Sequence, residues 1–366
     1  MKFIRTTTIS AIAGVLAIAG FSTAADAQFF KGKRVNVIIN YGAGGNTDIQ
    51  ARMVMRHVIK QLDGKPRLIY RHVSGAGGSV GANFLGEAGK TNGSMMGVFT
   101  IPIMAQVMKA PELRVDLSKF MYVGAVAQQT IAHVRKDAIP GKTINSYKDL
   151  LFNSDHPIRS GGHGPTSSKD LRTRLIFEAL KIPLKHVTGY KTGGKIRAAI
   201  LKDELDLTAD SLAGYYGRVM SQLIKPGISV PAWHIGSPGP NNTILHSSSV
   251  PKDIPSFQEV YEEKFGKGKR PDKMLWNAIR TIGASREMLR IIVFRAGTDP
   301  KIVNEMRAAW AKTMKDPEFL KEYAKVNGSA FDGFDGAKAQ SFIKEIVEVD
   351  PALQQFLLDY ANAAKG

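Results

Sequence analysis

Short runs of β-branched residues alternate along this chain with stretches whose apolar positions fall at helical spacing. VNVIIN (35–40) precedes a helical pattern over 47–59, RLIYRHV (67–73) one over 79–86, and MMGVFT (95–100) a shorter one. A second series begins later, with HPIRS (156–160) before 167–180, KHVTGY (185–190) before 195–202, and LDLTAD (205–210) before 212–223. Repeated strand, turn and helix predict an α/β protein with mainly parallel sheets covered on their faces. Because the pattern starts twice, two lobes are expected, and two lobes imply a cleft. MYVGAVAQQTIAHV (121–134) is long and β-rich, as a strand crossing between lobes would be, and the return is expected near ISVPAWHIGSP (228–238). From 254 onward the pattern is helical apart from RIIVFRAG (290–297), which assigns this part to the first lobe. The predicted organisation is 28–123 with 236–366 as lobe 1 and 124–235 as lobe 2, joined by a hinge. No repeat of solenoid period is present.

The first 27 residues change the picture. Lys2 and Arg5 precede an apolar stretch over 9–21, and Ala25-Asp26-Ala27 has the small-x-small form of a leader-peptidase site. The stretch is shorter than the roughly 20 residues a membrane span needs, so a cleavable export signal over 1–27 and a periplasmic mature protein are predicted. The absence of cysteine agrees with export and removes disulfides, thiolate metal sites and cysteine nucleophiles together. Net charge is +18; the leader holds Lys2 and Arg5 against Asp26, leaving +17 on the remainder. Such a balance favours acidic partners. The basic residues are scattered, however, with one cluster at KFGKGKRPDK (264–273) that reads as a solvated loop, and no aromatic RNA-binding motif accompanies them. Nucleic acid is not expected as a partner.

Three glycine-rich turns carry the candidate chemistry. NYGAGGNTDIQ (40–50) places Tyr41, Gly42, Ala43, Gly44 and Gly45 between strand and helix, with Thr47 and Gln50 in the form of a capping box. VSGAGGSVGAN (73–83) repeats the device with Ser74, Gly75, Ala76, Gly77 and Gly78. SGGHGPTSSKD (160–170) does so in the second series with Gly161, Gly162, His163, Gly164, Thr166 and Ser167, where Ser167 and Asp170 satisfy S-x-x-D. A bare turn after a parallel strand presents unpaired N–H groups at the positive end of a helix dipole, which suits an anion. Turns from both series converge if the carboxyl edges of the sheets face one cleft. Dinucleotide binding is excluded, because G-x-G-x-x-G would require glycine at Thr47 or Val80, and no P-loop is present. No G-x-S-x-G elbow or isolated acid–base pair argues for an enzyme. Histidines at H-E-x-x-H or H-x-x-x-H spacing are also lacking, so neither metal nor cofactor is expected.

The segment YGAGGNTDIQAR (41–52) resembles the first signature of the Bug, or TctC-like, extracytoplasmic solute receptors of tripartite tricarboxylate transporters. SGAGGSVGAN, KTNGSMMGVFT, VPKDIPSFQEVY and RAGTDPKIVNEMRAAWAKTMKDPEF resemble later segments of that family, in its order, over about 35–360. The resemblance implies a type II periplasmic-binding fold that closes on a small organic acid. It places the carboxylate on amides of 41–48 and 161–168, with 74–78 beside them and waters bridging. It also implies a monomer working with the membrane components of such a transporter. A periplasmic sensor or scaffold without a transporter remains the alternative reading. The chain departs from the family at Ser74, at Thr91-Asn92-Gly93, at 187–191, and in about twenty extra residues around 266–285.

Single residues divide by spacing and position. Asp48 and Arg52 stand i,i+4, as an intrahelical ion pair would; Asp48 is also placed to organise loop amides or to meet a ligand amino or hydroxyl group. His163 is a candidate ligand contact within its turn. Asp210 and Ser211 end a second-series strand and are candidate contacts, and Tyr41 is a candidate pocket wall. Trp233, Trp276 and Trp310 read as core or lobe-interface residues.

Overall fold

The computed structural model describes residues 29–152 and 155–364; the expected leader and its cleavage site lie outside them. The first series folds as β1 (Arg34–Ile39), α1 (Asn46–Val58), β2 (Arg67–His72), α2 (Ser79–Asn83), β3 (Met95–Thr100), α3 (Ile103–Val107) and β4 (Met121–Val126). The second folds as β5 (Thr130–Arg135), α4 (Tyr147–Leu151), β6 (Ile158–Gly161), α5 (Ser168–Ala179), β7 (Leu184–Val187), α6 (Gly193–Leu201), β8 (Leu207–Ser211), α7 (Leu212–Gly214) and β9 (Ser229–His234). A short ladder of β10 (Ser237–Pro238) and β11 (Ile244–Leu245) leads to α8 (Phe257–Phe265) and α9 (Lys273–Ala284). The chain ends with β12 (Arg290–Phe294), α10 (Pro300–Thr313), α11 (Pro317–Asn327), β13 (Gly333–Asp335), α12 (Gly336–Val347) and α13 (Pro351–Asn362).

Two sheets result, one ordered β13-β4-β12-β3-β1-β2 and the other β7-β6-β8-β5-β9. Both are mixed. The strands that the strand–turn–helix pattern predicts do pair in parallel, β1 with β2 and β3, and β6 with β7 and β8. The remaining pairings are antiparallel: β12 with β3 and β4, β13 with β4, and β5 with β8 and β9. Central β1 is almost continuously buried, whereas edge strand β2 alternates between exposed and partly buried positions, as one-sided cover requires.

The stretch expected as one crossing strand is two. β4 belongs to the first sheet as far as Val126, beyond the expected change of lobe after 123, and β5 begins the second at Thr130. The return path also differs from expectation. After β9 the chain does not go straight back, because α9 packs on α5 and α8 packs on β9. Trp276 and Phe257 of these helices join a core that also holds Leu171, Leu175 and Trp233. Helical periodicity identified α8 and α9 but could not say which sheet their apolar faces would cover. The first sheet regains the chain only at β12. Helices α10, α11 and α13 each start with aspartate as the cap and proline next, Asp299-Pro300, Asp316-Pro317 and Asp350-Pro351. Among the described residues no helix is long and apolar enough to cross a membrane.

Candidate ligand-binding site

The carboxyl ends of the parallel strands of both sheets meet at one cavity of about 770 Å³, counting space open to solvent. Three helices point their first turns at it: α1 through Asn46 and Thr47, α5 through Ser168 and Lys169, and α6 through Gly193, with Thr192 as its cap. Their unpaired N–H ends make the cavity positive before any side chain is counted.

Of the predicted residues, Tyr41, Gly45, Thr47, Ala76, Gly77, His163, Thr166, Ser167, Asp210 and Ser211 line this cavity. Tyr41 donates its hydroxyl hydrogen to Gly77 O at 2.7 Å and packs edge-on against the His163 ring, 5.1 Å between centroids. Burial pushes the Tyr41 hydroxyl pKa up. Desolvation, helped by the charge of Lys169, pulls His163 down to about 4, so its imidazole is neutral at pH 7. Its Nδ1 meets Tyr190 O at 2.8 Å.

The remaining predicted residues lie outside the lining, for reasons visible in the bonding. Gly44 N–H, expected to face an anion, donates to Asp48 Oδ2 at 2.9 Å. Asp48 also takes Arg52 Nε and His72 Nε2, each at 2.8 Å, so it organises the loop and does not reach the cavity. Gly42 serves contact between the lobes, since a Cβ there would stand 2.6 Å from Thr192 Cγ2. Ala43, Ser74, Gly75, Gly78, Gly161, Gly162 and Gly164 are likewise not among the lining residues. The N–H groups of His163 and Gly164 are held by Asp170 Oδ2 at 2.7 and 3.3 Å, and Gly162 N–H by Val187 O. A fully buried carboxylate of the protein therefore occupies the amide nest expected for a ligand. Despite burial, which alone would raise it, the Asp170 pKa is lowered by His186 and Ser167. The S-x-x-D pair does cap α5, Ser167 accepting from Asp170 N–H at 3.2 Å. The T-x-x-Q pair does not cap α1: Thr47 bonds Thr100 at 2.7 Å and Gln50 bonds Asn327 at 2.9 Å.

Asp210 lines the cavity with both oxygens engaged, by Arg197 at 2.7 Å, Asn46 at 2.9 Å and His133 at 3.4 Å. Burial would raise its pKa, yet Arg197, His133 and Lys169 hold it well below the carboxylate range. The bond from Asn46 to Asp210 ties one lobe to the other. Thr166 with Glu112 does the same.

No model of a protein family matches the chain. A Cupriavidus necator protein described as a UPF0065 protein in the gbd 5' region is 23% identical over 331 residues, 88% of this chain and 87% of that one. The periplasmic binding protein BugD superposes with a TM-score of 0.65 at 17% identity, covering 90% of this chain and 97% of that one. Rpa4515 of R. palustris, solved with adipate, superposes at 0.67 and 16% identity with the same coverages. The fold is that of a periplasmic solute-binding protein.

What distinguishes the cavity of this solute-binding fold is side-chain charge that the sequence reading did not find. That reading had an anion held by backbone amides; Lys169, Arg172, Arg286 and Arg290 also line the space. Arg172, Arg286 and Arg290 are only 4%, 4% and 6% exposed. Burial lowers Arg172 and Arg290 to about 10 and Arg286 well below its usual value, while desolvation takes Lys169 to about 8. A guanidinium keeps its charge at pH 7 even when buried, and Lys169 at about 8 is mainly protonated there. Lys169 donates to Thr208 Oγ1 at 3.0 Å and to Ala209 O, and Arg290 to Thr100 Oγ1 at 2.6 Å. Arg172 Nη1 and Arg290 Nε have no hydrogen-bond partner, nor do the lining hydroxyls of Ser79, Thr130 and Ser211. One local signal was available: cations in the opening turns of α5 oppose the helix dipole, which a purely structural helix avoids.

Proposed function

We infer that this chain is an exported periplasmic receptor that closes two lobes on a small organic acid and delivers it to a membrane transporter. The observation that carries this reading is Arg172: a guanidinium on the wall of the interlobe cavity, nearly fully buried, with an unpartnered Nη1. An unpaired buried charge costs several kcal/mol, and an anionic ligand removes that cost. The three helix N-termini supply further attraction for the same charge. The adipate held by the R. palustris relative agrees with an acid as the ligand. Hydrogen bonds for its carboxylate come from the unpartnered hydroxyls of Ser79, Thr130 and Ser211 and from the first turns of α1, α5 and α6.

An enzymatic reading has one observation to meet. Ser160 Oγ lies 2.7 Å from His186 Nδ1, and His186 Nε2 lies 2.9 Å from Asp170, a serine–histidine–aspartate chain. Ser160 is fully buried and outside the cavity lining, so this chain anchors the loop that Asp170 organises and does not present a nucleophile. This supports binding without turnover. Native mass spectrometry of freshly purified protein tests the function. A retained organic acid, recovered unchanged and rebinding with a rise in melting temperature, is expected; failure of every acid in a broad panel to bind overturns the reading.

A further inference from the structure

Where the far end of α1 meets α11, a histidine and two carboxylates come together away from the cavity. A ring nitrogen of His57 and one oxygen each from Asp316 and Glu318 lie within 4.8 Å of one another. His57 stands in the last turn of α1 and is only 3% exposed, while Asp316 caps α11 and Glu318 stands in its first turn. The ring is fixed on two sides. It packs edge-on against buried Phe319, 5.4 Å between centroids, and its Nε2 lies 2.8 Å from Glu322 Oε2. Its Nδ1 is buried with no hydrogen-bond partner. A histidine that only packs two helices together needs the Glu322 bond alone, and leaving the other nitrogen unsatisfied costs stability. The carboxylates keep capacity for a ligand. Asp316 Oδ1 caps Glu318 N–H at 2.8 Å, and Oδ2 accepts from Gln61 Nε2 at 3.1 Å, which leaves it a lone pair. Glu318 is held by Lys60 at 2.8 Å, an exposed pair that contributes little and separates readily.

One imidazole nitrogen with two carboxylate oxygens is the donor set of a borderline divalent ion such as zinc, cobalt or nickel, whereas calcium and magnesium favour oxygen throughout. We propose that His57, Asp316 and Glu318 form a divalent-metal site that clamps the end of α1 to the start of α11, with water completing the coordination. Donors around a tetrahedral zinc stand about 3.4 Å apart, so the group must contract, and exposed Glu318 supplies the movement by leaving Lys60. Glu322 is a positioning residue: it holds the ring through one nitrogen while the other serves the ion, an arrangement that orients the histidine and raises its basicity. The clamp lies roughly 15 Å along α1 from Thr47, so it stiffens the first lobe and stands independently of the receptor reading. Spacing along the chain hid this site, because α1 and α11 lie near opposite ends of the sequence.

The test uses the full, untagged protein stripped with chelator and desalted. Calorimetric titration with zinc, repeated with cobalt to read the visible bands of the bound ion, is expected to show one site per chain and a raised melting temperature. His57→Gln and Glu318→Gln are each expected to weaken zinc about 100-fold and Glu322→Gln about tenfold, the range over which groups that hold or support a metal act. Melting curves establish that the variants fold, and exposed Glu318 keeps the test decisive if His57→Gln does not. His246→Gln, which alters the histidine beside His234 and Glu259, is expected to leave zinc binding unchanged. Zinc binding that survives both His57→Gln and Glu318→Gln, or that His246→Gln abolishes, overturns the site. So does magnesium or calcium binding as tightly as zinc, zinc that enters only together with an organic acid, or the absence of zinc binding by the stripped protein.

Discussion

Closure of the lobes can be blocked at one atom. Gly77 sits at φ +62 on the cavity wall, and a Cβ added there would lie 2.9 Å from Ser167 Cβ and 3.3 Å from Ser167 Cα across the cleft. Carbon atoms prefer about 3.5–4.0 Å, so Gly77→Ala forces the facing loops apart by roughly 0.6–1 Å. Neither Ser167 atom is the free end of a flexible chain, so the strain cannot be relieved by a rotamer change. Overpacking of this kind costs about 1–3 kcal/mol, and it is felt only in the closed form. Affinity is therefore expected to fall about 5- to 160-fold. Alanine at positive φ carries its own cost of about 1–2 kcal/mol, but in open and closed forms alike. Gly44→Ala isolates that second effect, since Gly44 has φ +71 and open space around its missing Cβ. Calorimetry with the acid recovered from the native protein, and small-angle scattering with and without it, read the two variants together. Gly77→Ala should bind weakly and keep the larger radius of gyration at saturating ligand, while Gly44→Ala loses stability and keeps its affinity. Equal affinity in the two variants would refute closure through the contact between Gly77 and Ser167.

Desolvation holds Lys169 at about 8 against an ordinary value of 10.5. A cation with a lowered folded pKa binds fewer protons when folded, so the ligand-free protein should gain stability from this group as pH rises from 8 to about 10.5. Anion affinity should fall over the same window as the ammonium is lost, and Lys169→Met should flatten both profiles in calorimetry and melting. Asp210→Asn should lower unfolding free energy by about 3–5 kcal/mol in a denaturant titration, because it strands Arg197 in a buried position; a loss below about 1 kcal/mol would mean the pair is dispensable. Asp48→Asn disturbs the Gly44 turn without touching the cavity, so about 1–2 kcal/mol of stability should go with affinity changed less than about threefold. A larger fall in affinity than in stability would tie that turn to the ligand.

Much of this protein was written locally. The strand-to-helix alternation follows from side-chain periodicity, and the parallel cores of both sheets, β2-β1-β3 and β7-β6-β8, follow from it in turn. The aspartate-proline starts of the late helices are equally local, because cap and ring act within one turn of backbone. The sequence also located the loops that reach the cavity, since bare glycine turns at strand ends are positions set by their neighbours. What it could not decide was which groups in those loops remain free. Gly44 and Gly164 look like anion cradles in one dimension, but Asp48 and Asp170 fold back and take their N–H groups, and only side-chain geometry reveals that. Helices α8 and α9 were legible as helices, yet the sheet they cover depends on where their apolar faces find partners. The cations are the clearest case. Lys169 and Arg172 stand more than a hundred residues from Arg286 and Arg290, with no pattern linking them, and the two pairs meet only because α5 and the start of β12 end at one cavity. Charge in a chain is a local property, whereas charge left unpaired in a cleft depends on every neighbour that folding brings near it.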